Sequence, residues 1–194
     1  MWWVELLNSI VSVLDSGGAG GGGGAYESIA TATGTGSSGT ITFSSIPSTY
    51  KHLQIRGIGR TTTAALNWDD MLIRFNSDSG SNYSWHYIEG TGTSANAGGG
   101  ATQTYGIAVN ALPRNNNTAG IMGVALIDVH DYGSTTNYKT LRMINGGDSN
   151  GGGGIYLASA SWRSTSAVTS ISLVANGTNF GTTTSFALYG IKGA

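Results

Sequence analysis

The stretch HLQIR, residues 52–56, alternates polar and apolar side chains, and MLIRF, residues 71–75, again places apolar residues at every second position. Alternation with a period of two sends successive side chains to opposite faces of a β-strand. The same pattern recurs in ITF 41–43, YSWHY 83–87, YGIAV 105–109, LRM 141–143, TSISL 169–173 and FAL 186–188. These runs predict a protein built from short strands.

One run differs from the others because it is almost continuously apolar. It is VALIDV, residues 124–129, and this composition is typical of a central strand covered on both faces. Turn-forming pairs such as Asn176-Gly177 separate the runs. No second helical pattern follows Tyr26, so the sequence predicts an all-β body of about ten strands.

Three connections are long and rich in Gly, Ser and Asn: residues 90–101, 113–119 and 146–154. Long connections favour a jelly-roll-like or other Greek-key antiparallel sandwich over a tight meander. The predicted core consists of Ile41, Phe43, Leu53, Ile55, Ile73, Phe75, Leu126, Ile171, Leu173, Phe186 and Leu188. Burial of one such side chain contributes about 1.5–3 kcal/mol.

The first segment, MWWVELLNSIVSVLD, has helical periodicity instead. We therefore predict three parts: an amphipathic helix over residues 1–16, a Gly-rich linker over 17–25 and the β domain over 26–194. A helix this short is marginal alone in water and needs a partner surface. Its candidate anchoring side chains are Trp2, Trp3, Leu6, Leu7, Ile10, Val11 and Leu14.

The composition argues against several classes of function. Only 10% of the residues are charged and the net charge is −1, so nucleic-acid binding and attraction to anionic membranes are not expected. The apolar N-terminal run is too short to span a bilayer and lacks the basic start of a signal peptide. With no cysteine, thiolate metal sites and disulfides are excluded.

The polar clusters are weak candidates for chemistry. Asp128-Val129-His130-Asp131 resembles the end of a buried strand more than a metal site, which needs at least three convergent ligands. Neither Gly17–Gly24 nor Gly151–Gly154 precedes the Lys-Ser/Thr of a phosphate loop. We therefore predict no catalytic residue, no metal and no cofactor, and we do not expect an enzyme.

A sugar-binding site is the remaining candidate. Trp68, Asp69 and Asp70 lie in a predicted loop, and Trp85 follows in a nearby run. A tryptophan ring with a neighbouring carboxylate can bind a sugar, although packing of both rings inside the protein or between subunits is the alternative interpretation.

Four stretches carry a family likeness: YESIATAT (26–33), TFSSIPSTYKHLQIRGIGR (42–60), IRFNSDSGSNYSWHYIEG (73–90) and SFALYGIKG (185–193). They resemble a β-domain that recurs in virion proteins of tailed bacteriophages. The resemblance covers about residues 26–194 and implies a jelly-roll-like, usually homotrimeric domain used for attachment or decoration. It brings no catalytic motif.

The resulting hypothesis is a structural protein on the surface of a phage particle, a tail fibre or receptor-binding tip that docks onto other virion proteins through residues 1–16. A head fibre or capsid decoration protein is the alternative of the same class. A carbohydrate-binding, lectin-like module that recognises a host surface glycan is the alternative of a different class.

Overall fold

The computed structural model describes residues 24–65 and 67–193. Within this part of the chain all regular structure is β, in agreement with the predicted class. The predicted helix over 1–16 and most of the predicted linker lie outside the described residues. The twelve strands are β1 Tyr26–Thr33, β2 Thr40–Phe43, β3 His52–Gly59, β4 Trp68–Phe75, β5 Tyr83–Gly90, β6 Ala95–Gln103, β7 Gly106–Pro113, β8 Gly123–His130, β9 Lys139–Asp148, β10 Gly153–Trp162, β11 Ile171–Ala175 and β12 Ser185–Ile191.

The strands form two antiparallel sheets. The large sheet has the order β1-β12-β3-β8-β9-β10-β5-β6, and the small sheet has the order β2-β11-β4-β7. The chain moves repeatedly from one sheet to the other, and strands far apart in sequence pair with each other. The architecture is therefore a sandwich of two sheets.

One core lies between the two sheets. The small sheet contributes residues such as Phe75 and Ile171, and the large sheet contributes residues such as Leu53 and Ile127. All predicted core residues except Leu126 are buried. Leu126 is only half-buried because β8 directs Ala125, Ile127 and Val129 inward and Val124 and Leu126 to the opposite face. The prediction that β8 is covered on both faces is thus wrong for the face that carries Val124 and Leu126.

The strand count also differs from the prediction, which gave about ten. Residues 90–101, predicted as a connection, contain most of β6, and residues 146–154 are largely the paired ends of β9 and β10. In β6, Gly98, Gly99 and Gly100 pair with Tyr87, His86 and Trp85 of β5, and a Cβ at any of the three would lie within 3.0 Å of the partner's ring. These glycines allow the aromatic side chains to lie across the neighbouring strand.

The register fixes which loops share an end of the sandwich. Tyr26 at the start of β1 pairs with Ile191 at the end of β12, and Ile191 in turn pairs with His52. We call this the base. At the other end of the large sheet, Gly59 pairs with Gly123, and the turn between β9 and β10 follows Asp148. We call that end the tip.

Candidate functional site

Trp68, Asp69 and Asp70 do not lie in a loop, as predicted, but form the start of β4 at the tip, where Trp68 is half-buried. Its indole ring lies on the turn between β9 and β10, where a Cβ at Gly147 would collide with it and a Cβ at Gly153 would lie 3.1 Å from it. Gly153 also has a φ of 101°, which favours glycine. The sequence therefore supplies glycine where the ring needs close approach to the backbone.

Both carboxylate oxygens of Asp69 are hydrogen-bonded within the protein. Its carboxylate is buried and accepts hydrogen bonds of 2.7 Å from the Thr61 hydroxyl and 2.7 Å from Nε of Arg114. Both oxygens are used, because Thr61 binds Oδ2 and Arg114 binds Oδ1. The Asp69–Arg114 ion pair thus connects β4 to the chain that follows β7.

Asp70 points the other way and stabilises a β-bulge. The register between β4 and β7 shifts between Asp69 and Met71, opposite Asn110, whose φ is 48°. Oδ1 of Asp70 accepts a hydrogen bond of 2.9 Å from the Asn110 backbone N–H. The two adjacent carboxylates therefore serve different contacts and do not converge on one point.

Trp85 lies in a different packing environment from Trp68. Its ring is 6.1 Å from that of Tyr87, and both rings pack against a small second cluster of Leu72, Ile107, Val109 and Tyr156. The Trp85 Nε1–H is buried without a hydrogen-bond partner. The structure thus keeps Trp68, Asp69 and Asp70 adjacent but places Trp85 among other aromatic and aliphatic side chains.

A cleft of about 380 Å³ opens beside Trp68. Its polar walls come from Asn67, Asn116, Asn117 and Ser149. The Asn117 amide donates to the Asn67 carbonyl over 2.7 Å, which joins two sides of the cleft. A tryptophan ring next to amide and hydroxyl groups can bind a sugar by stacking and hydrogen bonding. The asparagines of this cleft were not among the predicted residues.

Arg60 orders the loop that forms one wall of the tip. Its buried guanidinium donates to four carbonyl oxygens of the segment after β7: Asn115, Asn117, Thr118 and Ile121, at 2.5–3.0 Å. A single planar group thus fixes a loop without regular structure. The sequence around Arg60 gives no sign of this role, because its partners lie 55 to 61 residues further along the chain.

The polar cluster at the end of β8 behaves as a strand end. Asp128 accepts hydrogen bonds from Gln54 at 2.5 Å and Arg142 at 3.0 Å, and His130 lies 5.1 Å from His52, ring to ring. Asp131 forms an ion pair with Lys51. Within residues 24–65 and 67–193, no three acidic or histidine side chains are placed to hold a metal ion.

The most extensive feature that the sequence did not predict is on the outer face of the large sheet. Its two adjacent rows of large aliphatic side chains cross β3, β8, β9, β10 and β5. One row contains Leu126, Ile144, Leu157 and Ile88, which pair in that order on neighbouring strands. The next row contains Ile58 of β3 and Val124 of β8, which pair with each other, and Ile155 of β10. We call these seven residues the apolar patch.

Comparisons with protein-family models, with curated proteins and with solved structures gave no match for this chain. In the part of the chain that the structure describes, no helix has the length and hydrophobicity needed to cross a membrane.

Proposed function

We propose that this chain is a structural protein of a bacteriophage virion, exposed on the particle surface. In this proposal the β body has jelly-roll-like connectivity, forms a homotrimer and serves as a tail fibre or receptor-binding tip. Residues 1–16 dock it onto another virion protein. A head fibre or a capsid decoration protein is the alternative location, and the proposal assigns no reaction to the chain.

The apolar patch is the observation that carries this proposal. Six of its seven residues are exposed, and Ile155 retains 65% of its surface. Contiguous aliphatic surface of this kind marks a site of association in soluble proteins. Because the surrounding surface relies on uncharged Ser, Thr and Asn side chains, few charges oppose assembly.

The geometry of the two ends also supports an appendage. The chain enters β1 at the base, whereas Trp68 and the Arg60 loop lie at the tip. A tether that precedes Tyr26 would therefore hold the base toward the particle and leave the tip outward. Loops held on a rigid β scaffold are common sites of recognition.

Incorporation into particles tests the docking role. We expect the full chain to copurify with virions, and the variants Leu6→Lys and Ile10→Lys to be lost from them while their circular dichroism spectra stay unchanged. Glu5→Lys and Ser9→Lys are controls, because helical periodicity predicts that Glu5 and Ser9 lie on the side of the segment away from its apolar stripe. Normal incorporation of both Leu6→Lys and Ile10→Lys, or of a chain lacking residues 1–16, would contradict the proposal.

Carbohydrate binding is a second candidate function, and the polar cleft beside Trp68 favours it. A glycan array probed with the full chain should give signals that disappear in Trp68→Ala. Trp85→Phe is the control, because Trp85 packs in the second cluster away from that cleft. Equal array signals for Trp68→Ala and the unmodified chain would count against this function.

A further inference from the structure

We infer that the apolar patch is a self-association surface, covered in solution by a second copy of this chain. The inference deepens the proposed function, on which it rests for the expectation of an assembly, by assigning the surface through which copies meet.

The register makes the patch continuous. Ile144 lies between Leu126 on β8 and Leu157 on β10, and Leu157 pairs with Ile88 on β5. Neighbouring strands are about 4.8 Å apart, so aliphatic side chains in one row touch along the sheet. The patch therefore presents an apolar sheet face, the type of surface that packs against another sheet.

The area of the patch matches what association between copies requires. Its six exposed aliphatic residues each leave roughly half of a residue surface uncovered, which gives on the order of 600 Å² in total. A standard stable interface buries about 800 Å² on each partner. The polar side chains that border the patch can supply the rest.

The border of the patch carries charges of both signs. The row next to Leu126 and Ile144 contains Asp128 and Arg142, which form an ion pair, and Arg56 stands at the end of the apolar row. Arg142 remains largely exposed although it is paired. A surface that carries both signs can place unlike charges opposite each other when it meets an identical surface, so a second copy is an electrostatically suitable partner.

A shallow groove beside the patch can receive a side chain from the other copy. It has a volume of about 310 Å³ and is lined by Ile88, Leu157, His86 and Arg142. The most exposed aliphatic side chain of the patch, Ile155, lies two residues from Leu157 on the same strand. Such a protruding side chain from one copy suits a groove of this size on another.

The mass of the purified full chain in solution tests the inference. Size-exclusion chromatography with light scattering at about 50 µM should give a multiple of 19.9 kDa. Ile144→Lys should shift the mass to that of one chain, and Thr140→Lys should not. Both residues are exposed on the same strand and face, so the second variant controls for the added charge.

Thiol reactivity provides a second measurement, which uses cysteine substitutions that preserve the fold. Because the chain has no cysteine, Leu157→Cys introduces one probe into the patch, and Thr140→Cys introduces one outside it. We expect the first thiol to react with a disulfide reagent at least tenfold more slowly than the second, although Leu157 is 44% exposed in the single chain.

Each outcome separates this inference from the proposed function. A monomeric full chain, or retention of the oligomer in Ile144→Lys together with equal thiol reactivity, would overturn the inference. A monomeric chain would be expected if the patch binds residues 1–16 or another protein, whereas equal thiol reactivity would show that nothing covers the patch. A dimer that dissociates in Ile144→Lys supports the inference but contradicts the proposed trimer. An oligomer that never joins particles supports it and contradicts the virion role.

Discussion

Leu126 and Ile144 are direct partners across β8 and β9, and both side chains point away from the core. Their neighbours Ile127 and Met143 are also paired with each other and are completely buried. A slip of one residue in the register of these strands would turn the buried side chains toward the outer face and the exposed side chains toward the core. The difference between these faces leads to the first prediction.

Truncation on the two faces of β8 should have different consequences. Ile127→Ala should lower the free energy of unfolding by about 2–5 kcal/mol, because it leaves a cavity between the sheets. Leu126→Ala should lower it by less than about 1 kcal/mol, measured by denaturant unfolding at a concentration where the chain is dissociated. Equal losses in the two variants would contradict this register.

The unfolding free energy should decrease as the pH falls below neutrality. Burial, together with the nearby His130, lowers the pKa of His52 from its usual value of 6.5, and Nδ1 of His52 accepts a hydrogen bond of 3.1 Å from the Asp131 backbone N–H. A protonated ring could not accept that bond. Because the unfolded chain binds the proton more readily, stability is present above about pH 6.5 and is lost as the pH falls toward the native pKa.

Denaturant unfolding at pH 7.5 and pH 5.5 measures this effect. His52→Gln should reduce the difference in stability between the two pH values, because it removes the ring whose Nδ1 accepts the Asp131 hydrogen bond. The carboxylates with lowered pKa values, Glu27, Asp78 and Asp131, titrate below this window. An unfolding free energy that does not change between these pH values would refute the prediction.

Replacement of Arg60 should loosen the tip. Arg60→Gln removes the charge-assisted hydrogen bonds to four carbonyl oxygens, and we expect a loss of about 3 kcal/mol in the free energy of unfolding. Proteolysis should become faster within residues 114–122. Arg163→Gln is the control, because Arg163 makes one exposed side-chain contact, with the Ser81 carbonyl. An equal effect of the two replacements would show that the loop does not depend on Arg60.

The contact between Trp68 and Gly147 should appear as an energetic coupling. Gly147→Ala should cost about 1–3 kcal/mol in the unmodified chain, because the added methyl group meets the indole ring. In a Trp68→Ala background most of that cost should disappear. A double-mutant cycle measured by denaturant unfolding checks this, and strictly additive effects would argue against the contact.

The sequence predicted the strands whose inner residues face the common core. Residues 41–43, 52–56 and 71–75 alternate as expected, and their apolar residues are buried. It failed for β6, because Gly98, Gly99 and Gly100 carry no side-chain pattern of their own. Their place in the sheet follows from the aromatic residues of β5 that lie over them.

The sequence likewise predicted only part of the candidate site. The sequence marked Trp68, and the structure supplies the asparagines around it from segments far away in the chain. It gave the wrong environment for Leu126, because a continuous apolar run does not reveal which face of a strand lacks a cover. The expected docking role of residues 1–16 stays a prediction.

The pairing of Tyr26 with Ile191 has a practical consequence for imaging and display. Any gold label, fluorescent protein or peptide fused after the last strand will emerge beside the point where the preceding segment joins the body. A C-terminal marker would thus report the position of the base, whereas cargo intended to stand at the opposite end belongs in the turn between β9 and β10.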